Sequence, residues 1–247
     1  LMPLEEKKYK LEFIGDSITS GEGLAGAKGI TEWNCAIFST LGHYAVTTAD
    51  RLDADYRIIS QSGWGVCSSW DNDPGRVLPK YYEQVCGLLS GKTQLEAGAG
   101  DKNDFTSWQP DAVLVNLGTN DAFAFHSKAW VDEGTGETFE QKLNPDGSYE
   151  AESLARFEDA VYNFLVVLRR DNPHAHIVWL YGMIGRTMEA YILDALNRYR
   201  AEHCDDKVSY LQLPDLKTEW MGANSHPGVM SHQAAADVLT EYLREIL

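Results

Sequence analysis

The stretch Leu11-Glu-Phe-Ile-Gly-Asp-Ser-Ile-Thr-Ser-Gly-Glu-Gly23 joins a short apolar run to a cluster of small and polar residues. Residues 10–14 alternate between polar and apolar side chains, which is the pattern of a β-strand. Gly15 permits a sharp turn at the end of that strand, and the residues after it are expected to open a helix. A strand followed by a glycine turn and a helix is typical of the first unit of an α/β protein.

Ser17 follows this turn directly, and two interpretations fit it. The free N–H groups and the positive dipole end of a helix N-terminus favour a developing oxyanion, so this is a place for a nucleophilic serine. A helix N-cap requires only a side-chain oxygen, and either Asp16 or Ser17 supplies one. The choice between nucleophile and cap depends on partners for Ser17 elsewhere in the chain.

Strand-like and helix-like segments alternate along the rest of the chain. The expected strands are Leu11–Ile14, Tyr56–Ser60, Ala112–Leu117, His176–Tyr181 and Val208–Leu213. The expected helices are Tyr44–Leu52, Ser153–Arg170, Met188–Glu202 and Ser231–Leu247. This alternation predicts a mainly parallel sheet with helices on both faces and a ligand site at the carboxyl ends of the strands. Residues 86–108 interrupt it as a loop insertion, and residues 127–150 as a short hairpin that turns at 144–147.

Composition limits the partners. Asp and Glu number 37 against 21 Lys and Arg, a net charge of −16 that repels phosphate backbones, so no nucleic-acid partner is expected. The longest apolar run, residues 164–168, is far shorter than the roughly 20 residues of a membrane span, so no membrane partner is expected. The four cysteines lack Cys-x-x-Cys spacing, and neither a metal nor another cofactor is predicted. The sequence does not decide whether Cys67 and Cys86 form a disulfide.

The chain begins Leu1-Met2-Pro3, without a leading methionine or an apolar signal segment. We expect residues 1–8 to be a connecting segment, residues 9–247 to form one catalytic domain, and the native start to lie upstream. These residues do not decide between a secreted and a cytoplasmic protein.

Three segments are placed to supply partners for Ser17. An acyl-transfer serine needs a base and oxyanion donors, and these must come from other loops at the same end of the sheet. After the second strand, Gly63 or Gly65 offers a bare backbone N–H, and after the third strand Asn120 offers a side-chain amide. His226 lies in a loop from about residue 214 to 229, which is long for a compact domain and is therefore a functional candidate.

These blocks resemble the SGNH (GDSL) hydrolases. The resemblance is carried by Gly15-Asp16-Ser17, Gly63, Gly118-Thr-Asn-Asp121 and His226-Pro227, in that order. It implies a flavodoxin-like three-layer α/β/α sandwich with five parallel strands in the order 2-1-3-4-5, and metal-free hydrolysis of esters or thioesters. By matching position, Ser17 is the nucleophile and His226 the base. By the same match, the resemblance implies an oxyanion hole made of the backbone N–H groups of Ser17 and Gly63 and the side chain of Asn120.

Residues 11–23 and Ser62-Gly-Trp-Gly-Val66 are further similar to carbohydrate esterase family 2, which removes acetyl groups from plant polysaccharides. This resemblance implies an acetylated carbohydrate as substrate and a β-sandwich domain upstream. A general short-chain esterase or thioesterase, and a carbohydrate-binding module on the same fold, remain the alternatives. Trp64 and Trp220 are expected to pack against sugar rings, because flat aromatic faces suit them.

One position departs from the superfamily pattern. An aspartate usually stands three residues before the histidine, and here that residue is Ala223. We therefore predict a Ser-His dyad in which a backbone carbonyl of residues 223–225 accepts the Nδ1 proton of His226. Asp215 and Glu219 are the alternative orienting groups.

Overall fold

The computed structural model describes residues 6–247, so residues 1–5 of the expected connecting segment lie outside the described residues. The strands in this part of the chain are β1 (Tyr9–Gly15), β2 (Ala54–Ser60), β3 (Ala112–Asn116), β4 (Trp130–Val131), β5 (Thr138–Phe139), β6 (His176–Met183) and β7 (Val208–Asp215). The helices are α1 (Ser17–Ser20), α2 (Tyr44–Leu52), α3 (Pro79–Tyr82), α4 (Lys92–Glu96), α5 (Thr119–Ala124), α6 (Ala151–Asp171), α7 (Glu189–His203) and α8 (Val229–Ile246).

Five strands form one parallel sheet in the order β2-β1-β3-β6-β7. Counted without the short β4 and β5, this order is 2-1-3-4-5, so the predicted fold class and strand order are confirmed. The two short strands pair with each other as an antiparallel hairpin. The turn expected at 144–147 is also present, closed by a bridge between Leu143 and Tyr149, so residues 127–150 hold two hairpin-like turns instead of one.

Side chains of the central strands alternate between two cores. Val113 and Val115 of β3 belong to the core beneath α6 and α7, whereas Ala112 and Leu114 belong to the core beneath α2 and α8. Because a strand sends successive side chains to opposite faces, a strand that is apolar at every position is buried on both sides. The result is the expected three-layer sandwich.

The carboxyl end of β1 turns into α1 in a space that admits no side chain at Gly15. A Cβ there would lie 2.1 Å from Thr19 Oγ1 and 2.8 Å from the carbonyl oxygen of Asn116. The carboxylate of Asp16 accepts the N–H of Ile18 and so caps the one-turn helix. Since Asp16 is the cap, the hydroxyl of Ser17 is left for another partner.

Two further expectations concern the cysteines and the membrane. All four cysteines are free, so Cys67 and Cys86 form no disulfide in this structure. Within residues 6–247, no helix has the length and apolarity that a bilayer crossing demands.

Candidate active site

Ser17 and His226 meet at the carboxyl end of the sheet although 209 positions separate them in the chain. The Oγ of Ser17 lies 2.8 Å from Nε2 of His226. The loop after β7 crosses back over the sheet to reach this point, and the N–H of Ala223 donates to the carbonyl of Gly23 at 3.1 Å. A hydroxyl within hydrogen-bond reach of an imidazole is the arrangement that activates a serine nucleophile.

The other imidazole nitrogen identifies the tautomer. Nδ1 of His226 lies 2.7 Å from the carbonyl oxygen of Asn224, which lies in the expected stretch 223–225. A carbonyl only accepts, so Nδ1 carries the proton and Nε2 is free to accept the proton of Ser17. The two acids considered as alternatives lie elsewhere, because Asp215 pairs with Arg186 and Glu219 is exposed.

The turn that presents this carbonyl has an unusual backbone. Asn224 has φ 49° and ψ 37°, and Ser225 has φ 57°, so two consecutive non-glycine residues are left-handed. Each such residue costs about 1–2 kcal/mol, so surrounding contacts must hold the turn in place. One of them is the N–H of Asn224, which donates to the carbonyl of Ile30 at 2.6 Å.

The three expected oxyanion donors line one open cavity of about 710 Å³ together with His226. Gly63 has φ +81°, a conformation that suits glycine, and a Cβ there would lie 3.1 Å from Cδ1 of Trp70. Within the described part of the chain, the backbone N–H groups of Ser17 and Gly63 donate to no protein acceptor. They are therefore free to bind an oxyanion.

The side-chain amide of Asn120 is held by two acceptors. Its Nδ2 donates to the carbonyl of Trp64 at 2.9 Å and to Oδ2 of Asp16 at 3.1 Å. Asp16 is fully buried, and this burial raises the pKa of its carboxyl to about 7. The residue that caps the nucleophile helix thus also orients the amide.

Asp121 fixes the loop that carries Gly63. Its carboxylate accepts the N–H groups of residues 66, 67 and 68 at 3.0, 2.7 and 3.1 Å. Burial raises the pKa of this carboxyl to about 6, although the three hydrogen bonds act in the opposite direction. Asp121 is enclosed within the protein and lies outside the cavity lining, so its contribution is to loop structure.

Glu22 is a site residue to which the sequence reasoning assigned no role. Glu22 is 2% exposed and lines the same cavity, and its Oε1 lies 3.6 Å from Nδ1 of His226. This distance exceeds a hydrogen bond, so the carbonyl of Asn224 remains the acceptor for Nδ1. The available signal was a charged residue within the small-residue run after Ser17.

The aromatic lining of the cavity differs from the expectation. The ring of Trp64 is buried against Tyr81, and the ring of Trp220 stacks under the amine of Lys217, so neither lines the cavity. The rings that do line it and are largely solvent-exposed belong to Trp33, Trp70 and Phe123, with 63%, 53% and 50% exposure. The indole of Trp64 is buried and that of Trp220 lies against Lys217, so the rings that this cavity exposes are those of Trp33, Trp70 and Phe123.

A parallel α/β/α sheet with a serine and a histidine in hydrogen-bond contact at its carboxyl edge is an arrangement found among acyl hydrolases. The family described as GDSL-like lipase/acylhydrolase matches residues 11–239, and the chain belongs to that family.

Its relatives include carbohydrate esterases. An acetyl xylan esterase from the rumen bacterium Butyrivibrio proteoclasticus is 45% identical with a TM-score of 0.95, over 98% of this chain and 64% of the other. A family two carbohydrate esterase from Clostridium thermocellum, solved with cellohexaose, is 25% identical with a TM-score of 0.77. The match covers 99% of this chain and 66% of the other. An acetylxylan esterase/glucomannan deacetylase of Cellvibrio japonicus is 26% identical over 96% of this chain. The chain spans 57% of that relative's length.

Proposed function

We propose that this chain is a serine esterase that removes acetyl groups from O-acetylated plant polysaccharides through a Ser17–His226 dyad and an acyl-enzyme. The observation that carries the proposal is the continuous chain of hydrogen bonds from Ser17 through His226 to the carbonyl of Asn224, at 2.8 and 2.7 Å. It supplies a nucleophile, a base in the correct tautomer and a group that orients the base.

In the first step, Nε2 of His226 accepts the proton of Ser17 while Oγ attacks the acetyl carbonyl carbon. The negative charge that develops on the acetyl oxygen is stabilised by the N–H groups of Ser17 and Gly63. The amide of Asn120 contributes when one of its two hydrogens turns from Trp64 or Asp16 towards that oxygen. Loss of one donor of this kind typically costs about 3–4 kcal/mol of barrier. The imidazolium then protonates the sugar oxygen, and the alcohol leaves.

In the second step, water takes the place of the sugar hydroxyl. His226 accepts a proton from that water as it attacks the acetyl-serine ester, and returns the proton to Oγ as acetate leaves. The same donors stabilise the second oxyanion. Every residue in this cycle belongs to the chain itself, and residues 9–247 are the catalytic unit of the proposal.

Three observations support a carbohydrate as the substrate. Exposed rings of Trp33 and Trp70 line the cavity and offer flat faces for sugar packing. The net charge of −16 suits a neutral polymer better than an anionic one. The relatives are named for acetylxylan and glucomannan. The upstream β-sandwich domain remains a prediction of the family resemblance.

Hydrolysis of p-nitrophenyl acetate by Ser17→Ala and His226→Ala tests the dyad. We expect each variant to lose at least about 10³-fold in kcat, because the two residues act as a unit. Ser20→Ala is the matched control, since Ser20 lies in the same one-turn helix but its hydroxyl bonds Ser60 and the carbonyl of Asp16. Undiminished turnover by Ser17→Ala would refute the proposal.

Acetate release from acetylated xylan and acetylated glucomannan tests the substrate class. We expect Trp33→Ala to raise KM for the polymers several-fold and to leave p-nitrophenyl acetate hydrolysis nearly unchanged, because the exposed ring offers a face to a sugar and, in the described part of the chain, makes no hydrogen bond with Ser17 or His226. Equal activity on simple esters with no acetate released from either polymer would favour a general short-chain esterase or thioesterase instead.

A second candidate function is the binding of unacetylated glycans in the same cavity. It is favoured by the cellohexaose complex of the related Clostridium thermocellum esterase. Calorimetric titration of Ser17→Ala with cellohexaose and with an acetylated xylo-oligosaccharide separates the two functions. Binding of cellohexaose alone, together with an absence of acetate release by the unsubstituted protein, would assign this chain to glycan binding.

A further inference from the structure

Glu22 contacts both members of the proposed dyad: its backbone hydrogen-bonds to Ser17, and its side chain lies beside His226. Its N–H donates to the carbonyl of Ser17 at 3.0 Å, and its carboxylate is almost fully buried beside the imidazole of His226. The position three residues before His226, where an acid was expected, is Ala223. A buried acid is therefore present at this site, but it comes from another part of the chain.

Each oxygen of this carboxylate accepts a hydrogen bond from a residue that borders the catalytic groups. Nδ2 of Asn224 donates to Oε1 at 2.8 Å, and Oγ of Ser62 donates to Oε2 at 2.9 Å. Asn224 presents the carbonyl that orients His226, and Ser62 precedes Gly63. One side chain thus ties the base-orienting turn to the loop of an oxyanion donor.

Asn224 needs such a tether because its backbone is left-handed, with φ 49°. Non-glycine residues adopt this conformation at a cost, which is smallest for asparagine and aspartate, and surrounding contacts help to hold it. The hydrogen bond from its side chain to Glu22 restrains the peptide whose oxygen faces Nδ1 of His226. A rotation of that peptide would leave Nδ1 without its acceptor.

The charge of Glu22 acts in addition to its hydrogen bonds. When His226 takes the proton of Ser17, the ring becomes an imidazolium whose Nδ1 lies 3.6 Å from Oε1 of Glu22. Away from bulk water, opposite charges at this distance attract strongly. Two hydrogen-bond donors, Asn224 and Ser62, compensate the burial of the carboxylate.

We propose that Glu22 is a positioning residue of the deacetylase, which orients His226 through Asn224 and stabilises the imidazolium formed in the transition state. The inference rests on the proposed function. No covalent step passes through Glu22, because the proton moves from Oγ of Ser17 to Nε2 of His226 and Nδ1 keeps its own. The side chain of Glu22 thus contributes to catalysis in two ways that can be separated: by its negative charge and by its hydrogen bond with Asn224.

The variant Glu22→Gln separates them, because a glutamine amide can accept from Asn224 and donate to Ser62 without the charge. With p-nitrophenyl acetate we expect kcat to fall at least about 10-fold and KM to stay within about twofold. Glu22→Ala removes both contributions, and we expect a fall of at least about 100-fold. The rate of inactivation of Ser17 by phenylmethylsulfonyl fluoride should fall in parallel, since it needs the same proton transfer.

Glu219→Gln is the matched control, because it removes an exposed charge from the same loop as His226 and should leave kcat unchanged. Near-UV circular dichroism verifies that each variant is folded. A folded Glu22→Gln with the kcat of the unsubstituted protein would overturn the inference, even if Glu22→Ala does not fold. If Ser17→Ala also retained full activity, the proposed function itself would fall. An inactive Ser17→Ala beside a fully active Glu22→Gln would overturn only the role of Glu22.

Discussion

Replacing Gly23 with alanine tests whether the position of His226 depends on a missing side chain. Gly23 has φ +83°, and a Cβ there would lie 2.6 Å from Cβ of His226 and 2.7 Å from the carbonyl oxygen of Ala223. Both distances are too short for nonbonded carbon and oxygen atoms. The new methyl group and the loop that carries the base therefore cannot occupy their present places together.

The size of the displacement follows from these distances. Separating the two Cβ atoms to an ordinary contact of about 3.5 Å requires a shift of roughly 0.9 Å. A shift of this size along the line from Ser17 to His226 would lengthen their 2.8 Å hydrogen bond to roughly 3.7 Å, beyond hydrogen-bond range. Misplacement of a catalytic group by about 1 Å costs roughly 10²-fold in rate, and we expect that loss in kcat.

Stability changes by two contributions that a control separates. A left-handed alanine costs about 1–2 kcal/mol, and overpacking adds about 1–3 kcal/mol. Gly136 has φ +74° in the exposed β4–β5 hairpin, and a Cβ there would have no neighbouring atom within 4 Å. We therefore expect Gly136→Ala to show only the backbone cost and full activity.

Urea unfolding and p-nitrophenyl acetate kinetics on both variants decide the question. The difference in unfolding free energy between Gly23→Ala and Gly136→Ala measures the steric contribution alone. A folded Gly23→Ala with unchanged kcat would show that the loop of His226 accommodates a methyl group, and the reasoning would be refuted. An equal loss of kcat in Gly136→Ala would refute it as well.

Further predictions concern buried titratable groups. Asp121→Ala leaves the N–H groups of residues 66–68 without their acceptor, and we expect a loss of roughly 1–3 kcal/mol in urea unfolding together with a lower kcat. Burial lowers the pKa of His43 to about 4, so its neutral form stabilises the fold above about pH 6.5, and this contribution is lost as the pH falls towards 4. His43→Asn should therefore lose about 3 kcal/mol less than the unsubstituted protein between pH 7 and pH 4, and an identical pH dependence would contradict this. The raised pKa of Asp16 makes folding stability depend on pH in the opposite direction. The stabilisation by its protonated form is present below about pH 4 and is lost as the pH rises through about 7. The stability of Asp16→Asn relative to the unsubstituted protein should accordingly rise from pH 4 to pH 8, while kcat falls because Asn120 loses an acceptor.

Much of the fold could be predicted because it is encoded in local patterns. The helix predicted at Tyr44–Leu52 has those bounds in the structure, and the predicted Ser153–Arg170 differs from α6 by two residues at its start and one at its end. Asn172-Pro173 ends α6, since proline restricts the residue before it and supplies no N–H. A helix was expected to open after Gly15, and α1 begins there at Ser17 but ends after one turn. The short α5 was not predicted, because six residues carry too little periodicity.

Parts of the site could also be predicted, for a related reason. Each strand end in a parallel sheet points to the same edge, so the loops that hold Ser17, Gly63 and Asn120 converge without detailed knowledge of packing. The roles of these residues in catalysis remain predictions that the variants above test. The aromatic residues illustrate the limit: Trp64 and Trp220 stand in loops near the site, but their rings face away from the cavity that Trp33 and Trp70 line.

By itself, the sequence determined the α/β class and the placement of Ser17 at the first strand end, because hydrophobic periodicity and turn residues act over a few positions. The strand order was implied by the resemblance to the SGNH hydrolases. Only the tertiary structure decided which group orients His226 and that Glu22 lies beside it. The hydrogen bond from Asn224 to Glu22 joins residues 202 positions apart, and the left-handed turn at Asn224 exists only through such contacts. Contacts between residues that are distant in the chain produce no periodic pattern of apolar residues in the sequence. They can therefore be identified only from the tertiary structure.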